Sequence, residues 1–105
     1  MRAASKVFPN WASSFVDGAG GKSVFPRMWK RMQSIVDGSI VVSLDQTKRA
    51  MRLMAEKSRV IVEGAGALAL AAALTGNAGG GPIVAIVSGG NIDLQKFCEI
   101  LESTA

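Results

Sequence analysis

Two kinds of apolar pattern alternate along the chain. Continuous β-branched runs, "SIVVSL" at 39–44, "VIV" at 60–62 and "IVAIVSGG" at 83–90, carry no polar face, as expected of strands covered on both sides. Helical spacing fills the intervals. From Pro26, a residue pre-organised for a first helical turn, Trp29, Met32 and Val36 fall at i, i+3 and i+7 with Met28 and Ile35 beside them, until Asp37-Gly38 ends the stretch. Ser43 closes the next strand and, with Gln46 three residues on, makes a capping box for a helix whose apolar face runs through Ala50, Met51 and Met54. After "VIVE", "GALALAAAL" resumes helical composition to Thr75-Gly76, and Gly79-Gly80-Gly81-Pro82 is a loop. The last stretch, "NIDLQKFCEILES", reads as a helix capped by Asn91 with Leu94, Phe97, Cys98 and Leu101 on one face. Near the start, Phe15 and Val16 close a short strand before the bends at Asp17-Gly18 and Gly20-Gly21, and residues 1–14 form an irregular lead-in. The order strand, helix, strand, helices, strand, helix predicts one α/β domain over 15–105, a three-layer arrangement of parallel sheet flanked by helices.

Composition narrows the chemistry. With 105 residues the chain is one domain that buries about two thirds of its unfolded surface. It has no histidine and no tyrosine, which removes serine-histidine and cysteine-histidine triads, histidine metal sites and imidazole acid-base catalysis. Lysines, carboxylates, hydroxyls, backbone amides or a borrowed cofactor remain, and no metal site is expected. Cys98 is the only cysteine, so no intrachain disulfide forms, a reducing cytoplasmic setting fits, and the thiol is expected to be buried and structural. The longest apolar run, Ala65 to Leu74, falls far short of the ~20 residues that span a bilayer, and no apolar leader region follows Met1, so no membrane partner is expected. Net charge is +4, with Arg27, Lys30 and Arg31 around Trp29. Trp29 lies on the apolar stripe and the basic residues on the solvated face, which argues against a nucleic-acid partner.

Two glycine motifs carry the candidate chemistry. "VIVEGAGALA" meets the short dinucleotide fingerprint, but no carboxylate stands about 20 residues on, and a close-packed helix whose small residues admit a neighbouring backbone is the favoured reading. "VSGGNID" ends a buried strand with a hydroxyl and two glycines, the place where α/β sheets put ligands; a simple capped turn is the competing reading.

Taken in order, "FVDGAGGKS", "VDGSIVVSLDQ", "VEGAGALALAAAL" and "IVSGGNID" resemble the C-terminal third of the catalytic domain of pyridoxal-phosphate-dependent threonine/serine dehydratases, the ammonia-lyases that include serine racemase. The resemblance spans about Phe15 to Leu101 and implies part of a fold type II large domain. It makes "EGAGA" the opening of a helix beside the cofactor pocket rather than a Rossmann turn. It implies that Ser88 lies against the pyridine nitrogen of pyridoxal phosphate, that Gly18 lets the backbone come close to the cofactor, that Glu63 sits near the pyridine edge, and that Gly89 and Gly90 shape the wall. The family's Schiff-base lysine stands in a serine-x-lysine-x-arginine-glycine stretch, and none of Lys6, Lys22, Lys30, Lys48, Lys57 or Lys96 has that setting. Gly79 to Gly81 imitates the family's phosphate loop but connects a helix to the last strand. The resemblance thus implies a fragment or truncated relative of a dehydratase, inactive alone and with no catalytic residue of its own, that needs its missing catalytic portion. The alternative is a non-catalytic module acting through homo-oligomerisation or partner binding.

Overall fold

The computed structural model describes residues 10–21 and 23–103. Four α-helices organise them: α1 (Pro26–Met32), α2 (Leu44–Leu53), α3 (Gly64–Leu74) and α4 (Leu94–Glu102). A short 3-10 turn, Asp17–Ala19, precedes them, and α2 runs on into a π-helical turn, Met54–Ser58.

Local chemistry explains where α2 starts and stops. Ser43 Oγ accepts from the Gln46 N–H at 3.0 Å while Gln46 Oε1 accepts from the Ser43 N–H at 2.8 Å, the reciprocal box expected from the sequence. Arg59 ends the π turn in the left-handed conformation, φ 55°, and the chain emerges extended through "VIV". The reversal brings α3 back against α2.

The core lies between α2, α3 and α4. Ala50 and Met51 from α2, Ala67 and Ala71 from α3, Phe97 and Ile100 from α4, and Val62 from the segment before α3 form one buried cluster. Alanines at the α2–α3 contact let the helix axes approach, and Met51, fully enclosed, fills the space they leave. Arg52 ties the layer together at its rim, pairing with Glu56 at 2.9 Å and donating to the Leu101 carbonyl at 3.1 Å.

Several expectations need correction. The parallel sheet is not formed: among the described residues there is no strand, and Phe15-Val16, 40–42, 60–62 and 83–87 run without a backbone ladder. Their sequence has strand character, but a strand exists only through pairing, and these stretches do not pair with one another. Cys98 is exposed rather than buried, because the buried face of α4 is set by Phe97 and Ile100. Leu94 is exposed too and Leu101 half-buried. Asp93, not Asn91, caps α4, its carboxylate accepting from the Lys96 N–H at 3.3 Å. Helix α1 ends at Met32, short of the expected Asp37-Gly38, and buries none of its residues: Trp29 and Met32 are half-buried and Met28 is exposed, as are Ile35 and Val36 beyond its end. The part of the lead-in over residues 1–9 lies outside the described residues, and 11–14 have no regular structure.

Candidate functional site

Three chain segments converge on the first turn of α3. The Glu63 N–H donates to the Gly89 carbonyl at 3.2 Å, joining the segment before α3 to the "SGG" turn before α4. Glycines make this approach possible. A methyl group on Gly66 would run into the Gly89 carbonyl, and one on Gly90 would run into the Ile61 carbonyl. On the other side, a Cβ at Gly64 would stand 2.9 Å from the Phe15 carbonyl and ring, so the "FVDG" segment lies hard against the helix start. The small residues of "EGAGA" therefore serve close packing of three backbones.

Within that junction, four of the five residues singled out from sequence meet. Gly18 faces α3, where a Cβ would come within 3.0 Å of Ala65 Cβ and 3.6 Å of Glu63 Oε2. The second oxygen of the same carboxylate, Glu63 Oε1, occupies the space that a Gly89 side chain would need. Glu63 thus spans from Gly18 to Gly89, with Gly90 beside the Ile61 carbonyl. Ser88, the fifth, directly precedes Gly89; it is exposed and its hydroxyl makes no hydrogen bond among the described residues. The result is a shallow wall bearing one carboxylate, one open hydroxyl and exposed backbone at Gly18 and Gly90.

Two contributors escaped the sequence reading. Gly66 belongs to the helix whose small residues were expected to admit a neighbouring backbone, but which backbone was not named; it is the Gly89 turn, and Gly66 sets its distance from α3. Lys96 Nζ lies 4.0 Å from Asp17 Oδ2, linking the first turn of α4 to the residue beside Gly18, in an exposed pair of small energetic weight. Lys48 is engaged elsewhere, its Nζ 5.7 Å from the centre of the Phe15 ring. No group of His, Cys, Asp and Glu able to hold a metal occurs among the described residues.

A cavity of about 380 Å³ opens between α2 and α3, lined by Gln46, Arg49, Leu53, Ala71, Leu74 and Thr75. It contains none of the wall residues. Ala71 lies five residues beyond Gly66, about 7.5 Å along the helix, so the cavity sits at the other end of α3.

Comparison with known proteins places this wall in context. The family model described as pyridoxal-phosphate dependent enzyme matches residues 1–89. A catabolic L-threonine dehydratase of Staphylococcus aureus is 35% identical over 95 residues, covering 86% of this chain and 28% of that protein. The processed form of threonine deaminase isoform 2 from Solanum lycopersicum superposes with a TM-score of 0.77 and 29% identity over 89% of this chain and 27% of its own. A T.th. threonine deaminase superposes with a TM-score of 0.72 and 29% identity over 85% of this chain and 33% of its own. The chain spans 28% of the length of the curated relative it matches.

Proposed function

The chain belongs to the pyridoxal-phosphate dependent enzymes, and on that premise we propose that it forms the ring-side wall of the cofactor pocket in a threonine/serine dehydratase. The single observation that carries this reading is the meeting of Gly18, Glu63 and Gly89 beside Ser88 at the start of α3. These residues fit a flat ring: glycines remove the side chains that would stand in its plane, and an unpaired hydroxyl is free to meet a ring nitrogen. When bound, pyridoxal phosphate supplies an electron sink for the Cα of an amino acid.

The chain's own residues tune that chemistry. Ser88 offers the pyridine nitrogen a neutral hydroxyl, which does not hold the nitrogen protonated as a carboxylate would. The sink is then weak, and loss of a β-hydroxyl is favoured over transamination, giving a 2-oxo acid and ammonia from threonine or serine. Glu63 borders the ring edge, held between Gly18 and Gly89. No lysine of the chain stands in the family's attachment motif, so the attaching lysine and the phosphate loop belong to the portion of the dehydratase outside this chain. In that complete protein the stretches 40–42, 60–62 and 83–87 become strands of a parallel sheet, the fold type II large domain. The single cysteine, Cys98, fits a reducing, cytoplasmic setting; among the described residues no helix is long and apolar enough to cross a membrane.

Grafting tests the proposal. When this chain replaces the matched stretch of the T.th. threonine deaminase, the chimera should bind pyridoxal phosphate and release 2-oxobutanoate from L-threonine. The Ser88→Asp chimera should keep the cofactor and lose at least about tenfold in elimination rate, the effect of ~1.4 kcal/mol at the transition state. A chimera that folds yet binds no cofactor, or an S88D form that eliminates at full rate, would sink the assignment.

A further inference from the structure

The cavity between α2 and α3 serves neither the core nor the ring-side wall. Gln46, Arg49 and Leu53 stand at i, i+3 and i+7 on one face of α2, and Ala71, Leu74 and Thr75 at i, i+3 and i+4 on α3, so two helix faces look into one space of about 380 Å³. That volume falls within the range of small-molecule pockets. Its apolar lining runs from buried Ala71 through half-buried Leu53 to Leu74, which is 56% exposed. The polar groups left open are all donors. Thr75 Oγ1 is already engaged, donating to the Ala72 carbonyl at 2.6 Å and accepting from the Asn77 N–H at 3.1 Å. Gln46 Oε1 accepts from the Ser43 N–H at 2.8 Å, which leaves the amide NH₂ as its open group. The Arg49 guanidinium makes no hydrogen bond or ion pair among the described residues, and Asp45, one turn before it on α2, does not pair with it. No carboxylate lines the cavity. The N-terminal turn of α2 favours an anion here and the C-terminal turn of α3 opposes it with a similar partial charge, so the full charge of Arg49 sets the sign.

We propose that this cavity binds a small aliphatic monocarboxylate that carries no amino group. The carboxylate accepts from the planar fork of Arg49, with the Gln46 amide as a further donor, and the tail covers Leu53, Ala71 and Leu74. Each methylene taken from water against these side chains is worth roughly three- to fourfold in affinity. An amino acid suits the site less well. Its ammonium group would find no open acceptor on the lining and would stand beside a like charge, so its desolvation goes uncompensated. The bound ligand touches both helices and only while they are packed together, so occupancy stabilises the α2–α3 pair and raises the thermal midpoint. The site lies at the opposite end of α3 from Gly64 and Gly66, and it stands whether or not the chain forms part of a cofactor pocket.

Hexanoate is the probe, titrated into the full chain and followed by backbone amide NMR shifts and by the thermal midpoint. The expected result is a saturable set of shifts confined to 46–53 and 71–75, a raised midpoint, and an affinity that falls about tenfold from hexanoate to butanoate as two methylenes are removed. 2-Aminohexanoate should bind at least about tenfold more weakly than hexanoate, and hexylammonium should cause no saturable shift. Arg49→Gln should lose about tenfold in hexanoate affinity while its ligand-free midpoint stays that of the parent, because Arg49 is exposed and unpaired among the described residues. Arg49→Lys keeps the charge without the planar fork and should fall between the two. Equal hexanoate affinity in the parent and Arg49→Gln, shifts that never saturate or that spread along α1 and α4, or 2-aminohexanoate or hexylammonium matching hexanoate would each overturn the proposal.

Discussion

Gly66 shows how much one missing methyl group decides. Its Cα faces the Gly89 carbonyl so closely that a Cβ has no room, and the obstacle is backbone, which cannot swing aside. Gly66→Ala should therefore cost about 1–3 kcal/mol by overpacking and push the Ser88–Gly89 turn away from α3. Gly38, with nothing within 4 Å of its absent side chain, is the control: Gly38→Ala should be neutral or stabilising by up to about 1 kcal/mol. Urea midpoints of the two variants check both signs. The family resemblance singled out Gly18, Glu63, Gly89 and Gly90 from the sequence, and the fold brings these four together at the start of α3. The sequence also showed that the small residues of α3 admit a neighbouring backbone, but not that the Gly89 turn is the one Gly66 admits, because that partner is distant in sequence. Cys98 was misplaced for a related reason. It sits beside the buried stripe rather than on it, and one residue of helix rotation separates the two outcomes.

Among the elements, the helices with local signals were the readable ones. Ser43 and Gln46 announced the start of α2, and the reciprocal box is formed. Ser43→Ala should remove it at a cost of about 1 kcal/mol, seen as a lower thermal midpoint with loss of far-UV helical signal; no change would mean that tertiary packing alone holds this terminus. The strands were harder, and for a physical reason. A helix closes its hydrogen bonds within itself, while a strand borrows them from a neighbour distant in sequence. "IVVS" and "IVAIVSGG" have the right residues, yet no ladder forms among the described residues. The exposed apolar face of α1 has the same origin. Its stripe of Trp29 and Met32, which the sequence continues to Val36 beyond the helix end, is patterned for a surface that the described residues do not provide, so Met28 and Ile35 remain exposed.

At the scale of the molecule, the chain is a helical layer with one wall of a site on its edge. Its buried cluster joins α2, α3 and α4, and this gives the Gly18–Glu63–Gly89 junction a firm base. On the proposed reading the wall orients a ring and sets the electron demand at its nitrogen, while no lysine of the chain stands in the family's attachment setting. Lys96 tests that division most sharply, because its Nζ reaches the residue beside Gly18. The decisive measurement is to load the chimera built on the T.th. threonine deaminase with pyridoxal phosphate, reduce with borohydride, and locate the pyridoxyl group by peptide mass. The account predicts one equivalent on a lysine of the deaminase portion and none on the stretch that comes from this chain. A stoichiometric label on Lys96, or on any other lysine here, would contradict it, since the chain would then carry the anchor as well as the wall.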